Sequence, residues 1–300
     1  MSRILVITNP VAARTTEEAK ERVVATLAGA GWEVDRENTT CAADTFRLAT
    51  AAVADGVDAV AVFGGDGTSM QAAAAVVNTE VALALIPGGT GNVLAGNLRI
   101  PLDPIAAVRS ITVGRRRRID LGEVTLADGA HYFGVACGAG VDARVMGETL
   151  PVNKRRWGIG AYFATTFRVL SEIQSTPCTI TVDGKRFEAP AALILILNCA
   201  EVIPRVVRVR PEIRLDDGIL DLVVIAADSA AGAIRGFLRV LGNSVGTKRE
   251  TPYLRYARGT EFRIEPAESL PVQFDGDPVG TTPFGARVLP GALTVMVPSS

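Results

Sequence analysis

Two glycine-rich turns, each directly after a short apolar run, constrain this chain more than any other feature. The first turn follows Val60–Phe63 and reads Gly64-Gly65-Asp66-Gly67-Thr68. The second follows Leu83–Ile86 and Pro87 and reads Gly88-Gly89-Thr90-Gly91-Asn92. Each apolar run predicts a buried parallel strand, because such strands are apolar on both faces. Glycines let main-chain N–H groups close on a phosphate at a helix N-terminus, so the two turns predict two edges of one nucleotide site.

The residues before and after these turns alternate between strand and helix patterns. A first strand, Arg3–Thr8, precedes a helix that we expect to begin at a capping box of Thr15 and Glu18. A strand over Glu33–Glu37 and a helix from about Ala43 to Ala54 follow, and Asp103-Pro104 marks the start of a later helix. This order predicts a parallel sheet with helices on both faces and ligands at the carboxyl ends of its strands.

After Asp120 the pattern changes to short alternating runs typical of antiparallel sheets. The sequence Asp183-Gly184 between two such runs predicts a hairpin with a type I′ turn. Tyr132–Ala136 is a further predicted strand, and Gly158–Ile173 and Ala230–Leu241 are predicted helices. We therefore expect an α/β domain over residues 1–121 and a β-rich domain over residues 122–300.

Composition excludes several classes of protein. The 300 residues carry 31 Lys and Arg against 32 Asp and Glu, and this near-neutral balance argues against a nucleic-acid-binding protein. The longest apolar run, Ala191–Leu197, is far shorter than the ~20 residues that a transmembrane helix needs. Four scattered cysteines and one histidine argue against a zinc site and favour reduced thiols in the cytoplasm.

Three acidic positions carry the predicted chemistry. A carboxylate beside phosphates is repulsive unless a cation lies between them, so Asp66 implies Mg²⁺; the alternative is an aspartate that caps a tight turn. The adjacent Asp216 and Asp217 form a plausible oxygen-ligand cation site, or a solvated turn. Asp275 and Asp277, two carboxylates just after a predicted strand, are suited to general-base work on a hydroxyl, although Asp275 with Gly276 equally fits plain hairpin chemistry. The turns match neither a Walker A loop nor a dinucleotide-binding fingerprint.

The order of these motifs, from Asn9-Pro10 through the two glycine-rich turns to Leu215-Asp216-Asp217-Gly218 and Asp275-Gly276-Asp277, resembles the bacterial diacylglycerol kinase and sphingosine-kinase-like lipid kinases. The match covers nearly the whole chain and also includes Lys154–Tyr162 and Leu289–Leu293. The resemblance implies an N-terminal α/β nucleotide domain, a C-terminal β-sandwich and an active site between them. It also implies ATP and Mg²⁺ as cofactors.

The same resemblance implies roles for particular residues. It implies a catalytic role for Asp277, as the acceptor of the hydroxyl proton, and for Asp66, which acts with Mg²⁺. It implies a structural cation held by the Asp217 carboxylate and the main-chain carbonyls of Arg214 and Ile219. It implies nucleotide contacts by Asn9, Pro10, Arg14, Thr39, Gly64, Gly65, Asp66, Gly67, Thr68, Gln71, Gly89, Thr90, Gly91 and Asn92.

Four positions depart from the family pattern. The first loop continues Val11-Ala12-Ala13-Arg14 without the usual glycine, so Arg14 is expected to supply charge instead. Val93 stands where many relatives have Asp, Gln71 where Glu is frequent, and Asp277 where the family has Glu. These departures leave open a catalytically inactive nucleotide- or lipid-binding regulator. A kinase of a soluble acceptor such as NAD is the other alternative.

A lipid acceptor requires an apolar cleft and access to a membrane surface. The residues expected to line the cleft are Ile159, Tyr162, Phe163, Phe167 and Leu170. The basic residues Lys154–Arg156 are expected to face anionic headgroups. We therefore predict a cytoplasmic protein that contacts the inner membrane face peripherally, with a homodimer as one alternative for its oligomeric state.

Overall fold

The computed structural model describes residues 1–41, 43–126, 129–140, 175–203, 207–227, 229, 231–232, 234–236, 238 and 253–299. The predicted helix Gly158–Ile173, the lipid-cleft residues on it and Lys154–Arg156 lie outside these residues, as does half of the predicted helix Ala230–Leu241. The chain divides into two compact units. Met1–Asp120 forms the first, together with the closing residues from Pro290, and the second lies within Leu121–Leu289.

The first unit is a parallel sheet with helices. Strand β1 (Ser2–Thr8) lies between β2 (Trp32–Asn38) and β3 (Ala59–Gly64), and β3 pairs in parallel with β4 (Ala82–Pro87). The end of the last strand, β17 (Phe284–Val297), adds one further parallel contact, Val295 opposite Leu83. The elements are β1 (Ser2–Thr8), α1 (Glu17–Gly29), β2 (Trp32–Asn38), α2 (Asp44–Ala54), β3 (Ala59–Gly64), α3 (Asp66–Val76), β4 (Ala82–Pro87), α4 (Val93–Asn97) and α5 (Pro104–Thr112).

The core of this unit explains why these residues form a sheet with two covered faces. Ile4 and Val6 of β1 pack with Val23 of α1 and Val108 of α5 in one buried cluster. Helices α2 and α3 pack against each other and against β1 and β3, on the opposite face. Strands β3 and β4 are buried along their whole length, as their unbroken apolar runs predict. The predicted parallel α/β fold of the first unit is confirmed.

The start of α1 differs from the prediction by one residue. The N-cap is Thr16, whose hydroxyl accepts a hydrogen bond from the Ala19 N–H at 3.2 Å. The Thr15 hydroxyl donates instead to the carbonyls of Asn9 and Ala12, at 2.8 and 2.9 Å. The predicted capping box of Thr15 and Glu18 is therefore wrong, because Thr15 is engaged by the loop after β1. The predicted cap at Asp103, followed by Pro104, is confirmed.

The second unit is built mainly from antiparallel strands around one buried core. Strand β9 (Lys185–Leu197) is central and pairs with β7 (Ala136–Gly140), β8 (Thr176–Val182) and β12 (Leu220–Ala226). The remaining elements of the chain are β5 (Arg115–Leu126), β6 (Gly129–Phe133), β7 (Ala136–Gly140), β8 (Thr176–Val182), β9 (Lys185–Leu197), β10 (Glu201–Ile203), β11 (Val207–Arg208), β12 (Leu220–Ala226), β13 (Leu254–Gly259), β14 (Glu261–Pro266), β15 (Pro271–Phe274), β16 (Asp277–Thr281) and β17 (Phe284–Val297).

Two sequence predictions are decided in this unit. Asp183 and Gly184 both have positive φ, 47° and 79°, which confirms the type I′ turn between β8 and β9. The predicted strand Tyr132–Ala136 is wrong, because β6 ends at Phe133 and β7 begins at Ala136. The intervening main-chain N–H groups donate to the Asp275 carboxylate rather than to a neighbouring strand.

Candidate functional site

The two glycine-rich loops touch each other at the carboxyl ends of β3 and β4. The N–H groups of Gly88 and Gly89 both donate to the Gly64 carbonyl, at 2.7 and 3.2 Å. A Cβ on Gly89 would lie 2.8 Å from the Gly65 Cα, a separation that real side chains essentially never show. Gly89 is therefore required by the close approach of the two backbones, in addition to any contact with a phosphate.

Asp66 links the first loop to the helix that follows the second. Its Oδ1 accepts a hydrogen bond of 2.6 Å from the Val93 N–H, at the first residue of α4. Burial raises the pKa of Asp66, and hydrogen bonds from the main-chain N–H groups of residues 92–94 oppose that rise. A Cβ on Gly91 would lie 2.6 Å from Asp66 Oδ2. Asp66 therefore acts as a cap, as the alternative interpretation of this aspartate expects, and the element that it caps is α4.

Asn92 completes the second loop. It adopts left-handed backbone angles, with φ of 51°, and the residue is 4% exposed. Its Oδ1 accepts from the Gly89 N–H and its Nδ2 donates to the Gly89 carbonyl, at 3.2 and 2.7 Å. Asn92 therefore shapes the loop through its own hydrogen bonds. Thr90 and Gly91 are the exposed residues between these contacts.

The loop after β1 joins the same edge of the sheet. Asn9 Nδ2 donates to the Thr68 hydroxyl at 3.1 Å, and the Asn9 N–H donates to the Phe63 carbonyl at 3.1 Å. The Arg14 N–H donates to the Gly88 carbonyl at 3.0 Å. The Arg14 guanidinium donates to the Leu102 carbonyl at 2.7 Å, so one of its donors is engaged by the protein. Pro10 lies exposed in this loop.

Helix α3 begins at this junction without a side-chain cap. Its N-cap is Gly65, and its first residues are Asp66, Gly67 and Thr68. The first N–H groups of a helix have no partner within the helix and carry the positive end of the helix dipole. Such an uncapped start suits a phosphate. Gln71, one turn further on, has a buried amide oxygen with no hydrogen-bond partner among the described residues.

Thr39 lies at the same edge of the sheet, directly after the end of β2. Its N–H donates to the Thr8 carbonyl at 2.9 Å. The next turn is organised by Asp44, whose carboxylate accepts from the Thr40 N–H, the Thr40 hydroxyl and the Cys41 N–H at 2.7, 2.6 and 3.1 Å. These bonds, that of the Thr40 hydroxyl first, hold the pKa of Asp44 well below its usual range. Sequence analysis missed Asp44, although a Thr four residues before an Asp at a helix start was a usable signal.

In the second unit, the Asp216-Asp217-Gly218 turn includes an ion pair with Arg258. Arg258 lies 2.7 Å from Asp217 Oδ2 and 3.3 Å from Asp221 Oδ2. Burial raises the pKa of Asp221. Asp217 Oδ1 is buried and has no partner in the described part of the chain. Among the residues described, no group of three or more His, Cys, Asp or Glu side chains is placed to hold a metal ion. A cation here would thus rely on one carboxylate and main-chain carbonyls.

The second acidic turn separates its two aspartates. Asp275 and Gly276 have φ of 48° and 97° and connect β15 to β16. The Asp275 carboxylate accepts from the N–H groups of residues 134, 135 and 136 at 2.7 to 2.9 Å, so it is a structural residue. Asp277 is exposed at the first residue of β16. The residue is therefore accessible to solvent.

The structure therefore brings together many of the predicted nucleotide residues, through direct contacts within the first unit. The members of this group are Asn9, Arg14, Gly64, Gly65, Asp66, Thr68, Gly89, Gly91 and Asn92. Thr39 is linked to the group through Thr8, which precedes Asn9. No helix within the described ranges is long and apolar enough to cross a membrane.

Comparison with known proteins finds a family match for each of the two units. Residues 3–124 match the family model described as the diacylglycerol kinase catalytic domain. Residues 135–297 match the YegS C-terminal NAD kinase beta sandwich-like domain. A crystal structure of "a putative diacylglycerol kinase from Bacillus anthracis str. Sterne" superposes with a TM-score of 0.84 at 25% identity, and covers 99% of this chain and 97% of that one. The predicted fold class, a parallel-sheet domain followed by a β-sandwich, is confirmed.

Curated relatives agree with these matches. A Pseudomonas aeruginosa protein named "Probable lipid kinase YegS-like" is 31% identical over 284 residues, which cover 94% of this chain and 90% of the relative. A Mycobacterium tuberculosis protein named "Diacylglycerol kinase" is 27% identical over 303 residues, which cover 99% of this chain and 96% of that protein.

Proposed function

Because this chain belongs to the diacylglycerol kinase and lipid kinase family, whose members phosphorylate an alcohol, we propose that it transfers the γ-phosphoryl group of ATP to the hydroxyl of a diacylglycerol-like lipid. The observation that carries the proposal is the junction of two loops at the uncapped start of α3. There Asp66 bonds to Val93 at 2.6 Å and Asn9 bonds to Thr68 at 3.1 Å. Phosphoryl transfer depends on positioning and charge stabilisation, and a rigid cradle of main-chain donors supplies both.

In this proposal the first unit holds the nucleotide. The main-chain N–H groups at the start of α3 bind a phosphate, and Thr90 contacts it from the second loop. Magnesium bound with ATP would neutralise the charge on the β- and γ-phosphates. Asp66 connects the two loops, because its Oδ1 accepts the hydrogen bond from the Val93 N–H. Its other carboxylate oxygen, Oδ2, lies beside Gly91 of the second loop.

Proton transfer is assigned to Asp277. Its carboxylate is exposed at the start of β16, where it can accept the proton of the attacking hydroxyl. Asp275 cannot serve in its place, because both of its oxygens already accept main-chain hydrogen bonds. The geometry of the turn therefore supports different roles for the two aspartates. Asp275 binds the main-chain N–H groups of residues 134–136, and Asp277 takes the proton.

A structural cation at the turn after β11 is a further part of the proposal. The donor set would be the Asp217 carboxylate with the main-chain carbonyls of Arg214 and Ile219. The buried Asp217 Oδ1, which has no partner among the described residues, supports this assignment, because an unpaired buried carboxylate oxygen is costly. All of these donors are oxygens, which hard cations such as Mg²⁺ prefer.

A soluble acceptor is the second candidate, and the description of the C-terminal family model as NAD kinase-like favours it. One assay separates the two. The purified chain is incubated with γ-labelled ATP and Mg²⁺ and with vesicles containing diacylglycerol, a sphingoid base or a mixed lipid extract, or with NAD in solution. Label in a lipid product is the expected result. Label in NAD alone would contradict the proposal, and ATP binding without any transfer would identify a regulator.

A further inference from the structure

Asp277 lies on a strand that gives it little support. Strand β16, which begins with Asp277, is at one end of the strand order and pairs with β15. Pro278, the next residue, has no N–H to donate to a ladder, and the register of the pair shifts between Val272 and Gln273. The position of the Asp277 main chain is therefore set mainly by the two-residue turn that joins β15 to β16.

A buried side chain of β15 holds this turn from the inside of the hairpin. Gln273 is 3% exposed, and its Oε1 accepts a hydrogen bond of 2.6 Å from the Gly276 N–H. Gly276 has a φ of 97° and directly precedes Asp277. The Gln273 amide oxygen therefore fixes the peptide group that lies one residue before the Asp277 backbone.

The main chain of Gln273 is itself well anchored. Strand β15 pairs with β7 on one side, where Gln273 lies opposite Gly138, and with β16 on the other. Asp275 holds the turn differently, because its carboxylate binds main-chain N–H groups of residues 134–136 outside the hairpin. Gln273 thus carries the fixed geometry of a strand with two neighbours to the turn that leads into the edge strand.

A general base depends on such placement. It must come within hydrogen-bonding distance of the hydroxyl whose proton it accepts. A displacement of about 1 Å can cost about 10²-fold in rate. Aspartate has one side-chain torsion fewer than the glutamate usual in the family, so it has less freedom to compensate for a displaced main chain. We infer that Gln273 is a positioning residue for Asp277. The inference rests on the proposed function, in which Asp277 accepts the proton.

A merely structural role for Gln273 predicts something different. In that case, loss of its amide oxygen lowers stability and the folded fraction, and slows transfer by the same factor whichever residue stands at position 277. A positioning role predicts a loss that depends on the Asp277 carboxylate. A double-mutant cycle between the two positions separates these outcomes, because only residues that act together give non-additive effects.

Three variants of β15 form the test. Gln273→Met keeps an unbranched side chain of similar length and removes the amide oxygen. Gln273→Glu keeps an oxygen in the place of Oε1 and is the conservative rescue. The matched control is Val272→Ala, which removes buried methyl groups from the neighbouring, fully buried residue of the same strand and leaves the bond to Gly276 in place.

The measurement is single-turnover transfer from γ-labelled ATP with Mg²⁺ to diacylglycerol in vesicles, together with titration of ATP binding. Gln273→Met should slow transfer by about tenfold or more, with ATP affinity within twofold of wild type. Gln273→Glu and Val272→Ala should stay within threefold of the wild-type rate. In an Asp277→Asn background, Gln273→Met should change the residual rate by less than twofold.

Three results would overturn the inference: transfer within threefold of wild type in Gln273→Met, an equal loss in Val272→Ala or Gln273→Glu, or the same factor of loss in both backgrounds at position 277. If circular dichroism shows that Gln273→Met does not fold, Gln273→Asn replaces it under the same criteria, because its amide oxygen is one methylene short of Gly276.

Failure of the inference is distinguishable from failure of the proposed function. A large loss in Asp277→Asn without a loss in Gln273→Met contradicts the positioning role alone. Wild-type transfer in Asp277→Asn, or label in NAD alone, contradicts the proposed function itself.

Discussion

The carboxylate of Asp66 accepts a 2.6 Å hydrogen bond from the main-chain N–H of Val93, 27 residues further along the chain. This bond connects the first glycine-rich loop to the helix that follows the second. It uses the backbone of Val93, so the apolar side chain at that position does not disturb it. The departure from the family pattern at Val93 therefore leaves the connection between the loops intact.

Gly91→Ala should break this connection. The new Cβ would lie 2.6 Å from Asp66 Oδ2, so the carboxylate must move. We expect a loss of stability of about 1–3 kcal/mol, the usual cost of overpacking, and weaker ATP binding. Urea unfolding and nucleotide titration measure the two effects. The control is Gly29→Ala, at the end of α1, where a Cβ meets nothing within 4 Å. Equal behaviour of the two variants would contradict the prediction.

Substitutions at Asn92 should separate its hydrogen bonds from its backbone angles. Asn92→Gly loses the two bonds to Gly89 but tolerates a φ of 51°, whereas Asn92→Ala loses the bonds and also meets the cost of left-handed geometry. We expect the alanine variant to be less stable than the glycine variant by about 1 kcal/mol in urea unfolding. At ordinary helical positions the order is the reverse, so alanine more stable than glycine here would refute this account.

Asp277→Asn should abolish turnover while ATP binding is preserved. Loss of a general base typically costs about 10²–10⁴-fold in rate. Asp277→Glu, which has the residue usual in the family, should remain active. Steady-state turnover and nucleotide titration are the measurements, and wild-type turnover in Asp277→Asn would exclude this residue as the base.

Asp275→Asn provides the structural comparison for that experiment. Its carboxylate holds three main-chain N–H groups, and an amide group cannot accept all three bonds. We expect a loss of unfolding free energy of about 1–3 kcal/mol. Unchanged stability in this variant would show that the hydrogen bonds at residues 134–136 contribute little to the fold.

The contribution of Asp44 should depend on pH. Its pKa in the folded protein lies below the value of about 3.9 for an unfolded chain, because the Thr40 hydroxyl and main-chain N–H groups bind the ionised form. A lowered pKa stabilises the fold above the unfolded value, and this stabilisation is lost as the pH falls through the folded value. The difference in urea midpoint between wild type and Asp44→Asn should therefore be largest near pH 7 and shrink towards pH 3.

Thr40→Ala tests the cause of that pH dependence. The Thr40 hydroxyl donates to Asp44 Oδ2 at 2.6 Å and contributes most to the lowered pKa. In a Thr40→Ala background, the pH-dependent part of the Asp44→Asn effect should be smaller. An identical pH profile in both backgrounds would assign the lowered pKa to other groups.

Much of the fold follows from local pattern. The apolar runs before the two glycine-rich turns become β3 and β4, buried at every residue. The Asp183-Gly184 turn and the start of α5 at Asp103 are also as expected, because turn and cap chemistry act over a few residues. The errors at Thr15 and at Tyr132–Ala136 have a common source. In both cases a polar group bonds outside the predicted element: the Thr15 hydroxyl donates to carbonyls of the preceding loop, and the N–H groups of residues 134 and 135 donate to Asp275.

The sequence by itself determined the order of strands and helices in the first unit, the resemblance to the family and the positions of the acidic turns. Only the tertiary structure decided what the acidic residues do: Asp66 bonds to Val93, Asp275 to residues 134–136, and Asp217 to Arg258. A carboxylate takes the donors that are within hydrogen-bonding distance. Those donors lie 27, 139–141 and 41 residues away in the chain, and strand pairing is what brings them together.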